Sequence, residues 1–175
     1  MQLCMQAMPR YSKHDNFFEA LFQKEYRGVV HAAGRIAGRE VAEDLAQDAF
    51  AALYRSGPRN FDHARNWLYR TVLNRAISHC RSAQRRLHRD GKAMHALPVE
   101  DPSAVVEREQ TRELVQRTLV RINARYACVI ALRYGGMSYK EISNVMNVNI
   151  NQVGTLLLRA EAAFKKEYDP ATSLR

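Results

Sequence analysis

The 175 residues have room for one domain or two small ones, and a hydrophobic content of 46% excludes wholesale disorder. A net charge of +9 favours a polyanionic partner, without separating DNA from RNA or an acidic membrane surface. The longest unbroken apolar run, Tyr126–Leu132, is seven residues, far short of a membrane span, and the opening MQLCMQAMPR lacks the basic leader and apolar stretch of a secretory signal.

Strand signals are nearly absent, and helical periodicity runs almost throughout, so the chain reads as all-α. A first helix is expected from about Asp15 to Gly34, with Phe18, Leu21, Phe22, Tyr26, Val29 and Val30 on its apolar side. A second is expected over Glu40–Tyr54, with Val41, Leu45, Ala49 and Leu53 along one face. Glu43, Asp44, Gln47 and Asp48 lie on or beside the opposite face, which suits a protein partner better than DNA. Ser56–Asp62 reads as a loop by its Gly-Pro step and polar cluster. A long helix follows from about Arg65 to His88, its stripe formed by Tyr69, Leu73, Ala76, Cys80, Ala83 and Leu87 and flanked by Trp67, Val72 and Ile77.

Charge divides this first half. Residues 15–54 carry four Lys/Arg against seven Asp/Glu, whereas residues 70–92 carry seven Lys/Arg against Asp90 alone. Arg81, Arg85 and Arg89 recur every four residues, so their charges stack along one ridge and repel, a cost that a phosphate backbone would reverse. Gly91, Pro98 and Pro102 then break the pattern, and 90–107 reads as a linker.

Beyond the linker, Leu114, Val115, Leu119 and Ile122 give a further helix its core face, and a shorter helix spans Tyr126–Tyr134. Gly135 and Gly136 end it. Ser138 and Glu141 have the spacing of a capping box, Ile142, Val145 and Met146 supply a buried face, and Val148–Asn149 makes a break. Asn149 with Gln152 offers a second, weaker cap, after which Ile150, Val153, Leu157, Ala160 and Phe164 form one stripe. The segment Arg133–Glu161 is thus a candidate helix-turn-helix, with polar residues expected on the outer face of its second helix.

Cys4, Cys80 and Cys128 lie far apart with no CxxC spacing, which argues for reduced thiols rather than a zinc site or disulfide framework. The six histidines form no metal set, and no catalytic triad, phosphate-binding glycine loop or paired carboxylate stands out. No cofactor, metal or enzymatic activity is expected.

With both halves in view the chain resembles the extracytoplasmic-function (ECF) sigma factors of bacterial RNA polymerase, over about residues 15–167. Ala42–Arg55 (AEDLAQDAFAALYR) is similar to their core-binding segment. Asn66–Arg81 (NWLYRTVLNRAISHCR) is similar to their promoter-melting helix, with Trp67, Leu68, Asn74 and Arg81 at the characteristic places. Ile130–Val148 resembles the start of their −35-reading domain. The resemblance implies two small helical domains, sigma2-like over 12–89 and sigma4-like over 108–168, joined by a flexible linker.

It further implies that Glu43, Asp44, Gln47 and Asp48 dock on the clamp helices of the polymerase β′ subunit, and that the sigma4-like domain meets the β flap. Arg59, Asn60 and Phe61 in the loop Ser56–Arg65 would capture a flipped −10 base, with Arg70, Asn74, Arg75, Arg81 and Arg85 along the upstream DNA. Asn151, Gln152, Thr155 and Arg159 would face the −35 groove, with Tyr139 and Lys140 on phosphates. A cytoplasmic location and an anti-sigma factor, often membrane-anchored, are implied as well.

Two places depart from the family pattern. Ile122–Asn123 stands where a Leu-Pro step is usual, and Gly154 and Leu156 replace two basic residues of the recognition helix. Either the −35 preference is unusual or this helix grips DNA weakly. A sigma mimic that sequesters an anti-sigma factor, and a simple helix-turn-helix regulator, are the competing readings.

Overall fold

The computed structural model describes residues 13–56, 60–89 and 104–168. Among them are seven helices and no strand: α1 Lys13–Ala37, α2 Arg39–Ser56, α3 Phe61–Arg89, α4 Ala104–Arg121, α5 Ala124–Tyr134, α6 Tyr139–Met146 and α7 Ile150–Glu167. The expected all-α class is what the chain adopts.

α1, α2 and α3 form one bundle around Leu21, Val29, Ile36, Leu53, Leu68 and Leu73, all fully buried. α1 and α2 are separated by a single residue, Gly38, whose φ of 88° lies in the region that glycine enters without strain. α2 packs through small side chains. Ala42, Ala46 and Ala49, with Phe50 and Leu53, are its buried face, while the expected Val41 and Leu45 are only half-buried. The three alanines present a stripe that lets α2 lie close against α1. Gly28 has a comparable role, because a Cβ there would collide with the Tyr69 hydroxyl.

The expected loop Ser56–Arg65 is shorter than its composition suggests. Asn60 accepts a hydrogen bond from the His63 amide at 2.8 Å, so α3 starts at Phe61 and takes Arg65 into its second turn. Residues 57–59 lie outside the described set, and so does 90–103; the last residues of the expected linker, 104–107, belong to α4. The stripe of α3 is buried as expected at Tyr69, Leu73 and Ala76, with Val72 and Ile77 beside it; it extends toward the helix start through Ala64 and Leu68 and stops short of Leu87, which is exposed.

The second half wraps α4, α6 and α7 around α5, whose Ala127–Leu132 segment is buried throughout. Ile122 enters this core and Asn123 caps α5 by accepting from the Arg125 amide, which accounts for Ile-Asn in place of Leu-Pro. Asn147, left-handed at φ 52°, ends α6.

The two halves are not strung apart. Their apolar residues form one continuous cluster, and the seam runs where α3 and α1 meet α4, α5 and α6.

Candidate promoter and polymerase surfaces

Two α3 arginines hold the seam by a common device. The last carbonyls of a helix lack intrahelical partners, and a cation there satisfies them while opposing the helix dipole. Arg70 donates from Nε to the Val145 carbonyl at 2.8 Å, at the end of α6. Arg81 donates from Nη2 to Ile122 at 2.9 Å and from Nε to Val120 at 3.3 Å, at the end of α4. From the other side, the Gln116 amide donates to Gly34 near the end of α1 at 3.1 Å.

A third arginine ties both halves by charge. Arg65 meets Glu25 at 3.2 Å within the first half and Glu141 at 2.9 Å across the seam. Glu25 is only 5% exposed and also accepts from the Tyr69 hydroxyl at 3.3 Å. Burial alone would lower the Arg65 pKa, but Glu25, Tyr69 and Glu141 outweigh it and hold the guanidinium above its ordinary value. Burial first, and then Glu25, push the Tyr69 phenol up to about 12.

Glu141 has a second duty. It closes the capping box of α6, accepting from the Ser138 amide at 2.9 Å while its own amide donates to the Ser138 hydroxyl. Those Ser138 bonds, reinforced by Arg65, keep the Glu141 carboxyl below its usual range. One carboxylate thus starts the first helix of the helix-turn-helix and anchors it to α3.

The expected site residues fall into three groups. Glu43, Asp44, Gln47 and Asp48 are all exposed along α2, with Asp48 paired to Arg75 of α3 at 3.1 Å. On α3, Arg70 and Arg81 face the second half, Asn74 lies 4.0 Å from the Cys128 sulfur, and Arg85 bonds Ser82 at 2.9 Å. The continuous Arg81–Arg85–Arg89 ridge is therefore broken at its first member. Asn60 and Phe61 are not loop residues: Asn60 is a helix cap, and Phe61 packs edge-on to Phe17 with the Lys24 ammonium 4.8 Å from its ring centre. Arg59 lies outside the described residues.

On the helix-turn-helix, Asn151, Thr155, Arg159 and Lys140 are exposed, and Tyr139 carries the Arg133 guanidinium over its ring. Gln152 is exposed, but its oxygen accepts from the Asn149 amide at 3.2 Å and completes the second capping box. Ile150, expected in the apolar stripe, is 46% exposed. Leu158 stands 69% exposed on the outer face of α7, where polar residues were expected. For the Arg65–Glu25 pair the sequence signal is no more than a Glu and an Arg near otherwise apolar faces.

Between α1–α2 and α4, α5 and α7 lies a groove of about 1000 Å³, lined by Val30, Arg35, Arg39, Ile130, Tyr134 and Phe164 among others. The Arg35 Nε is buried without a hydrogen-bond partner.

Comparison with known proteins decides what these surfaces belong to. Residues 21–86 match sigma-70 region 2 and residues 112–164 match sigma-70 region 4. The RNA polymerase sigma-H factor of Pseudomonas aeruginosa is 30% identical over 142 residues, 74% of either chain. This chain belongs to the sigma-70 family. The ECF sigma factor SigW of Bacillus subtilis is 28% identical over 87% of this chain and 85% of its own, and the ECF sigma-E factor of Escherichia coli is 29% identical over 73% of each. In structure, CnrH in complex with the cytosolic domain of CnrY is similar over 85% of each chain at a TM-score of 0.54 and 23% identity. The ECF sigma factor described here binds core RNA polymerase and promoter DNA and directs promoter-specific initiation. No helix among the described residues is long and apolar enough to cross a membrane.

Proposed function

We propose that the sigma activity is divided among three surfaces: the acidic strip of α2 docks on the β′ clamp helices, α3 handles the −10 element, and α7 reads the −35 element. The observation that carries this is that the α2 strip and the outer face of α7 are both exposed, with Asp48 of the strip bridging to Arg75 of α3. The α2 strip Glu43, Asp44, Gln47 and Asp48 is exposed opposite a buried alanine face, and the outer face of α7 is free of the core. On α3, Arg70, Asn74, Arg75, Arg81 and Arg85 supply the cations and hydrogen-bonding groups that a melted strand needs.

For α3 to work this way the halves must part, because Arg70 and Arg81 are engaged with the ends of α6 and α4. Polymerase, which would hold region 2 at β′ and region 4 at the β flap, supplies the energy for parting. The 12–89 and 108–168 segments then act as two clamps on one promoter. An anti-sigma factor is the proposed antagonist, as CnrH is found with the cytosolic domain of CnrY. The groove lined by Val30, Ile130, Tyr134 and Phe164 would accept an apolar helix.

A run-off assay tests the reading: the protein with core polymerase should yield promoter-dependent transcripts from a genomic template pool, and neither alone should. Asp44→Arg with Asp48→Arg should abolish core binding; intact binding would remove α2 from the polymerase interface.

A further inference from the structure

Fold stability does not explain Leu158. The core side of α7 is complete without it, through Val153, Leu157 and Ala160. Helical spacing places Leu158 on the opposite strip, one turn from Thr155 and two from Asn151, with Arg159 on its flank. It is the most exposed large hydrophobic residue among those described.

The polar neighbours that could read bases are fewer than the sequence suggests. Gln152 holds the Asn149 amide, and Gly154 offers no side chain. Arg159 is the sole cation between Ile150 and Ala160. What remains outward is a short strip whose centre is apolar. In the major groove the thymine C5 methyl is the one apolar group that distinguishes a base, and side-chain methyls read it by contact.

We infer that Leu158 is a specificity-determining residue of the −35 contact, selecting thymine methyl groups together with the Thr155 methyl, while Asn151 and Arg159 take the flanking base edges. This rests on the reading of α7 as the −35 helix. A protein partner for the same strip is the competing outcome, and the helix-turn-helix setting favours DNA.

Deoxyuridine tests this, since it pairs like thymidine and lacks only the methyl. Holoenzyme reconstituted with the full chain is used to select −35 duplexes from a randomised pool, and affinity is measured with each thymine replaced in turn. The inference expects about a 4-fold loss per contacted methyl, at one or two adjacent thymines. Leu158→Ala should erase that loss, and Leu158→Gln should move the preference at that position toward adenine. Indifference of the wild type to deoxyuridine, or an equal loss in Leu158→Ala, overturns the role of Leu158. In that case an enriched −35 element weakened by Arg159→Ala would leave α7 as the −35 helix. A pool that yields no −35 element at all overturns both. If Leu158→Ala weakens polymerase binding with the thymine effect intact, the residue is a protein contact and the inference fails.

Discussion

α3 and α7 are the two helices assigned to DNA, and the fold presents them in opposite ways. α3 carries the denser positive charge, yet Arg65, Arg70 and Arg81 are turned onto the other half of the molecule. α7 has one cation in its first three turns, yet its outer strip is open. The difference teaches that a count of arginines measures what phosphates could attract, not what is free to meet them. Helix-end carbonyls within the chain compete for the same guanidinium groups, at no cost in association entropy.

The sharpest way to break this contrast is to free α3. Arg65→Ala leaves Glu25, 5% exposed, without its counter-ion, and an uncompensated buried charge costs about 3 kcal/mol. The urea unfolding midpoint should fall accordingly.

Arg70→Ala with Arg81→Ala should cost about 1 kcal/mol for each helix end uncapped. Small-angle scattering should show an expanded chain, and promoter binding by the holoenzyme should lose salt dependence, by about 0.7 to 0.9 in log–log slope for each phosphate contact removed. An unchanged slope would confine both residues to the seam.

A smaller effect isolates the charge at Glu141. Glu141→Gln can keep the reciprocal bonds with Ser138, so α6 stays capped while the ion pair with Arg65 is lost. Because the folded protein holds the Glu141 carboxyl below its ordinary value, its contribution is complete above the unfolded pKa of about 4.3 and disappears as pH falls through the lower folded value. Wild type should lose stability in that acid window more steeply than Glu141→Gln.

The smallest contrast concerns the thiols. Burial pushes Cys128 up to about 12 and raises Cys80 as well, so both stay protonated near neutral pH. Native protein and its Cys128→Ser variant should show the same number of thiols reacting quickly with a disulfide reagent.

Much of the fold was legible along the chain. Both capping boxes, Ser138 with Glu141 and Asn149 with Gln152, stand in the sequence at the right spacing and close as expected. The start of α3 was not legible from the Gly-Pro-rich composition, because the Asn60 cap outweighs it and draws Phe61–Arg65 into helix. On α2 the expected Ala49 and Leu53 are buried, but periodicity weights large residues, whereas close helix packing chose Ala42 and Ala46 over Val41 and Leu45.

By itself the sequence determined what is local: seven amphipathic segments, their caps, the acidic and basic segments of the first half, and the family those patterns belong to. Propensity, capping and 3.6-residue periodicity all act within a few residues, so they survive in a linear reading. Only the tertiary structure decided which charged groups are free. Arg65 finds Glu25 at a separation of 40 residues and Glu141 at 76, and Arg81 finds the end of α4 some 40 residues on. Such pairings depend on which helix ends the packed core brings together. The same packing turned Leu158 outward, since Val153, Leu157 and Ala160 had already filled the inner face of α7.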